Sequence, residues 1–396
     1  MNAYNNLLFK PFLCIGIVCL FVACDLTRPH KDGEHIGNTV LEKPQEVKKT
    51  IHYNLYIENS GSMKGYCNIN NQSSIEALVS DYYERLKSSD NTNQVTLNFI
   101  NTEIEPSNKS KIQFLQSIRT KCTAQYTKID QMLEMMMQNT NDSTVNLLIS
   151  DYVFSTNQGG ITIASHGITS LVQRELNKRD FAVAMSKYLV NFKGRYYPGG
   201  IQCNKELPLY VWVFGKKENV RKVIGLPFEY KDCGEFFIQE PSYPNIELKA
   251  KSKRFVEGNK LHISQWNRNN KGVYEFKLTV SLSDVLLDEL DITNPSNYNI
   301  SAKSSSVYTI NDIEKIDEDK YTFSIQTNKP SPGDITISYP ISMPDWVEDS
   351  NFEGIGLPDD GTTLGVKYLI NAVDKAFKDA AGPDKYNYFE LKIKTE

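Results

Sequence analysis

From residue 51 onward, short apolar runs of strand length alternate with segments whose apolar residues recur at helical spacing. IHYNLYI, VTLNFI (95–100) and VNLLIS (145–150) have the length and apolar content of buried strands. Between them, Ile75, Leu78, Val79, Tyr82, Tyr83 and Leu86 make one apolar stripe over three helical turns. KIDQMLEMMM (128–137) and ITSLVQREL (168–176) predict two more helices, the first turning its methionines to the core. FAVAMSKYLVNF and LYVWVFG add two strands, and KENVRKVIG a short closing helix. Strands alternating with helices predict an α/β domain over residues 51–239, a doubly wound, mostly parallel sheet flanked by helices.

The period changes near Pro241 and Pro244. IELKA, KLHIS, VYEFKLTVSL, VYTIN, KYTFSIQT and DITISYP are short alternating runs separated by turn-formers such as NRNNKG and KPSPGD. They predict a smaller antiparallel β-sandwich over residues 241–340. Residues 341–396 open with an acidic stretch around Trp346 (345–361), which reads as a solvated loop. A helical stripe follows from Val366 to Phe377, then the strand-like YFELKIK.

The amino terminus follows neither period. Lys10 precedes the apolar run PFLCIGIVCLFVA, which is too short to span a bilayer as a helix and has the length of a signal-peptide core. Its ending FVAC resembles a bacterial lipoprotein box. That resemblance implies a signal peptide over residues 1–23, lipidation of Cys24 and a lipid anchor to membrane. Residues 24–50 are polar and read as a flexible tether. The implied location is the bacterial cell envelope, facing the periplasm or the cell exterior.

Composition narrows the partners. The 396 residues are 40% apolar and 23% charged, as in a folded protein, and the net charge of −4 gives no global case for nucleic acid. Beyond Cys24 remain Cys67, Cys122, Cys203 and Cys233. An exported location permits disulfides among them, in three connectivities that the sequence does not separate.

The densest chemistry lies in LYIENSGSMKGY (55–66), where an apolar strand ends in Glu58, Ser60 and Ser62. In an open α/β sheet, ligands bind beyond the carboxyl ends of the strands. One carboxylate and two hydroxyls at alternating positions, with Gly61 to relieve crowding, are hard oxygen ligands suited to Mg²⁺ or Mn²⁺. Three ligands do not fill an octahedron. NLLISDY ends a second strand in Ser150 and Asp151, and Thr127 stands directly before an amphipathic helix, as its N-cap or as a further ligand.

This set resembles the metal-ion-dependent adhesion site of von Willebrand factor A (VWA) domains, whose first loop reads Asp-x-Ser-x-Ser. Thr127 and Asp151 fall where that family places its second-loop threonine and third-loop aspartate. The resemblance covers roughly residues 51–225. It implies a VWA-like fold in which Glu58, Ser60, Ser62, Thr127 and Asp151 hold Mg²⁺ (or Mn²⁺), and a protein partner whose own carboxylate completes the coordination sphere. Glu58 stands where the family has aspartate, and Tyr152 where a glycine commonly follows the third-loop aspartate. If the two loops meet at the ion, Cys67 and Cys122 come together, which leaves Cys203 to pair with Cys233.

No catalytic set emerges. There is no GxSxG elbow, no HExxH and no phosphate-cradling glycine loop, and His166 is the one histidine near the site in sequence. The expectation is a membrane-tethered protein-binding module and not an enzyme. A metal-free scaffold subunit of an envelope complex is the alternative, and a metal-dependent hydrolase the third reading.

Overall fold

The computed structural model describes residues 50–396 except 69, 154–159, 198, 227–231, 250–255, 264–271, 304–306 and 355. The expected signal peptide, the expected lipidation site Cys24 and residues 24–49 of the expected tether lie outside the described residues. Residues 49–396 form one compact unit.

A seven-stranded sheet organises residues 52–239. Strand β1 (His52–Glu58) pairs in parallel with β2 (Gln94–Ile100) on one side and β4 (Thr144–Ser150) on the other. The short β3 (Ile104–Pro106) runs antiparallel beyond β2. Past β4 come β6 (Ile201–Gly215), β5 (Ala182–Tyr196) and β7 (Asp232–Gln239), each antiparallel to its neighbour. The order is β3-β2-β1-β4-β6-β5-β7. The sheet is therefore mixed, not mostly parallel. The reason is the connection: only residues 197–200 join β5 to β6, and a parallel return needs a crossover of a dozen residues or more. Gly199 and Gly200 take the positive φ values (109° and 62°) that this tight turn requires.

Helices cover both faces. Successive residues of β1 point to opposite sides, so Tyr53, Leu55 and Ile57 pack in one core with α1 (Ile75–Ser89) and α2 (Lys111–Lys121). Tyr56 joins the other core with α3 (Ile129–Gln138) and α4 (Gly160–Leu176), where Met132, Met136 and Met137 are buried. The α2 helix, absent from the sequence reading, starts with a capping box between Ser110 and Gln113. The short α5 (Lys217–Ile224) follows β6.

The β-rich part holds two smaller sheets. One is antiparallel throughout and ordered Thr309–Asp317, Lys320–Thr327, Tyr274–Ser281, Ile246–Lys249. In the other, the C-terminal strand Asn387–Thr395 lies at the centre and pairs antiparallel with Gly333–Pro340. Tyr298 bridges the two sheets, its ring 5.3 Å from that of Phe323 and 5.9 Å from that of Phe389. Residues 341–396 thus serve both parts, because helix Val366–Ala381 packs on α4. There the Thr169 hydroxyl donates to the Ala372 carbonyl at 3.0 Å. The acidic stretch is not a plain loop: it begins as helix Asp345–Asp349, and the Trp346 indole donates to the Glu235 carbonyl. Among the described residues, no helix is long and apolar enough to cross a membrane.

Candidate functional site

The parallel register of β1 and β4 (Ile57 opposite Ile149) brings the ends of both strands to one sheet edge. There Glu58 meets Ser150. Beyond β1, Ser60 forms an isolated parallel bridge with Ala124, the Gly61 amide donates to the Ala124 carbonyl at 2.8 Å, and the Ala124 amide donates to Asn59 at 3.0 Å. These bonds fasten the first loop to the segment that carries Thr127. The chain then makes a tight helical turn, Gly61–Tyr66. The crowded glycine of this turn is Gly65, not Gly61. A Cβ on Gly65 would stand 2.2 Å from the Phe192 ring, whereas one on Gly61 would make ordinary contact at 3.6 Å.

All five expected ligands converge. Glu58 is fully buried, with Oε1 accepting from the Thr127 hydroxyl at 2.6 Å and Oε2 from the Ser150 hydroxyl. The N-cap position of α3 is Lys128, one residue beyond Thr127. The Ser60 and Ser62 hydroxyls lie 2.9 Å apart, Ser60 beside Glu58 and Ser62 beside Asp151. Asp151 is also fully buried; its Oδ1 accepts from the Val153 amide at 3.2 Å, and its Oδ2 has no hydrogen-bond partner. Burial, and then the neighbouring Glu58 charge, pushes the Asp151 carboxyl up to about 7. Burial also raises Glu58, against the pull of the hydroxyls that donate to it from Ser150, Ser60 and Thr127.

Tyr152, next in the chain, adopts φ = 50°, a left-handed conformation unusual for a bulky residue. Its ring stacks on Trp212 at 5.0 Å and meets Tyr210 edge-on at 5.8 Å. That aromatic packing holds the strained backbone and fixes the direction in which Asp151 leaves the strand.

Above the three hydroxyls opens a cleft of about 510 Å³. Ser60, Ser62 and Thr127 form its buried floor, and the exposed Lys64, Arg119, Lys193 and Arg195 line its mouth. Glu58 and Asp151 lie beneath this floor and do not line the cleft. Sequence reasoning passed over the Ser150 hydroxyl as a Glu58 donor, although its position at the strand end pointed there. It also missed the four cations. They come from the turn, α2 and β5, and no spacing in the sequence links them.

The cysteines divide. The buried Cys67 and Cys122 thiols do meet, and their contact, with burial, raises the Cys122 thiol far above the ordinary range. Cys203 and Cys233 do not meet, which corrects that expected pairing. On β5, Cys203 lies opposite Gly194, and Cys233 sits at the irregularity beside Lys187 and Tyr188. At the rise of a strand this is a separation of about 20 Å, against a disulfide limit near ~7 Å between Cα atoms. All four side chains are thiols in this structure. His166 is an exposed residue of α4.

No known family model matches this chain, and no curated protein is significantly similar to it. Among the described residues, no group of three or more His, Cys, Asp or Glu side chains is placed to hold a metal ion. The site has two carboxylates only, and its other oxygens are hydroxyls. Its donor chemistry nonetheless fits a small hard cation. Two buried carboxylates are costly side by side unless a proton or a cation offsets them, and Asp151 Oδ2 is a buried acceptor with nothing to accept from.

Proposed function

We propose that this chain is a lipid-anchored envelope protein whose α/β part is of VWA type. It grips a protein partner through a divalent cation held by Glu58, Ser60, Ser62, Thr127 and Asp151. The observation that carries the reading is the pair of fully buried carboxylates beneath three hydroxyls that floor an open cleft. When bound, Mg²⁺ or Mn²⁺ supplies a Lewis-acidic position for a carboxylate oxygen of the partner. The chain's own residues do the rest. Glu58 accepts hydrogen bonds from the Thr127 and Ser150 hydroxyls, which orients both oxygens at the strand edge. Ser150 also accepts from the Tyr152 amide at 2.9 Å, which ties Glu58 to the turn that aims Asp151. The positive φ at Tyr152 is the conformation glycine favours, and glycine is the residue the VWA resemblance leads one to expect there. Attachment through Cys24 rests on the sequence alone.

Calorimetric titration with Mg²⁺ and Mn²⁺ tests this reading. The wild type should give a saturable heat that Asp151→Ala abolishes. No heat from the wild type would sink it. A metal-free scaffold is the second reading, favoured by the raised Asp151 carboxyl: a proton held there lowers the repulsion between the two carboxylates without an ion.

A further inference from the structure

The mouth of the cleft is basic in a chain whose net charge is −4. Lys193 and Arg195 alternate on β5 with the inward-facing Phe192, Gly194 and Tyr196, so both cations point away from the core. The Gly65–Gly194 contact sets that strand against the site loop: a Cβ on Gly194 would lie 3.1 Å from the Gly65 Cα. Lys64 projects from the turn itself, and Arg119 of α2 is tethered to it by donating to the Cys67 carbonyl at 3.4 Å. Lys64, Lys193 and Arg195 form no ion pair with any described residue, and no described acidic side chain lines the cleft. A divalent ion on the floor would cancel the two buried carboxylates and leave these four cations to set the field in the cleft. A concave mouth of one sign concentrates ligands of the other.

We propose that this cleft docks a partner polypeptide segment carrying several closely spaced carboxylates, gripped by Lys64, Arg119, Lys193 and Arg195. The inference takes the docking face from the metal-site reading, but its four cations act whether or not the ion is bound. A cleft of about 510 Å³ takes a few side chains. Its four cations ring one compact cleft, not an extended basic track of the kind a nucleic-acid strand follows, and Tyr197 is the one aromatic residue among its described lining.

The test uses the full chain and fluorescence anisotropy, with labelled hexaglutamate, hexaglutamine and a single-stranded oligothymidylate as probes. Hexaglutamate should bind in chelator, more tightly as salt is lowered, and hexaglutamine should not. The double variant Lys64→Glu/Arg195→Glu, changed only at exposed positions, should weaken hexaglutamate by about tenfold or more. It should still bind Mg²⁺ with a saturable heat, and no more weakly than the wild type. Asp151→Ala should lose that heat and keep binding hexaglutamate in chelator, so the two readings fail separately. The inference is overturned by absence of hexaglutamate binding, by equal binding of hexaglutamine, by undiminished affinity in the double variant, or by an oligothymidylate that binds as tightly as hexaglutamate.

Discussion

Among the described residues, two places bury carboxylates to 1% exposure or less, and they do so in opposite ways. On α4, Glu175 is 1% exposed and has cations at hand: Lys178 at 2.9 Å from Oε1, and Arg179 at 3.2 Å from Oε2 as an ion pair without a hydrogen bond. At the end of the parallel strands, Glu58 and Asp151 are both fully buried, and only hydroxyls and a backbone amide donate to them. A buried charge with its counter-charge in place is a finished structural element. A buried carboxylate pair without one is an element waiting for a proton or an ion. The contrast separates a helix that fastens the fold from a strand edge whose carboxylates have no counter-charge beside them, the feature on which the proposed metal site rests.

The largest expected effect is on the finished side. Arg179→Ala takes a cation from Glu175 and also the guanidinium that donates to the Thr140 carbonyl. Breaking a buried pair costs about 3 kcal/mol, and the half-exposed Lys178 replaces little of it. Urea unfolding should show the loss as a lower midpoint at unchanged slope. An unchanged midpoint would mean that Glu175 does not depend on its cations, and the contrast with Glu58 and Asp151 would disappear.

Next in size is the response of the unfinished side to metal. At a hundredfold excess over its dissociation constant, Mg²⁺ should add about 2.7 kcal/mol to the unfolding free energy. Asp151→Asn should remove that gain, while Arg179→Ala keeps it on a lower baseline. Thermal melts with Mg²⁺ and with chelator read both. A gain that survives in Asp151→Asn would place the ion elsewhere.

The two sides also differed in how far the sequence revealed them. The strand ends at Glu58 and Ser150–Asp151 were legible because a buried apolar run that stops in a carboxylate breaks the strand period abruptly. The three hydroxyls followed from alternation at 60 and 62 and from the position of Thr127 before a helix. Strand direction was not legible, since a period of two is the same whichever way the chain runs; the signal was the short connection at residues 197–200 with its two glycines. Helix α2 escaped because only Phe114 and Ile118 are buried apolar residues on it, although the Ser110–Gln113 spacing of a capping box was present. The Cys203–Cys233 pairing failed because disulfide distance depends on register along β5, which no single strand records. Lys64, Arg119, Lys193 and Arg195 are ordinary isolated charges until the fold gathers them.

The smallest expected effect is the one whose sign decides most. With chelator present and at mildly alkaline pH, Asp151→Asn should stabilise the fold by about 1 kcal/mol, because a neutral amide replaces a charge buried beside Glu58. The Asn oxygen still accepts from the Val153 amide, and its N–H groups can donate toward Glu58 or Ser62, where Oδ2 of the acid had no partner. Glu175→Gln should move the other way, since it deprives Arg179 and Lys178 of their counter-charge. Opposite signs in urea unfolding would make the strand edge a site held ready at a cost in stability. If Asp151→Asn instead destabilises as Glu175→Gln does, the site's carboxylates are already compensated within the fold, and the case for an ion there goes with them.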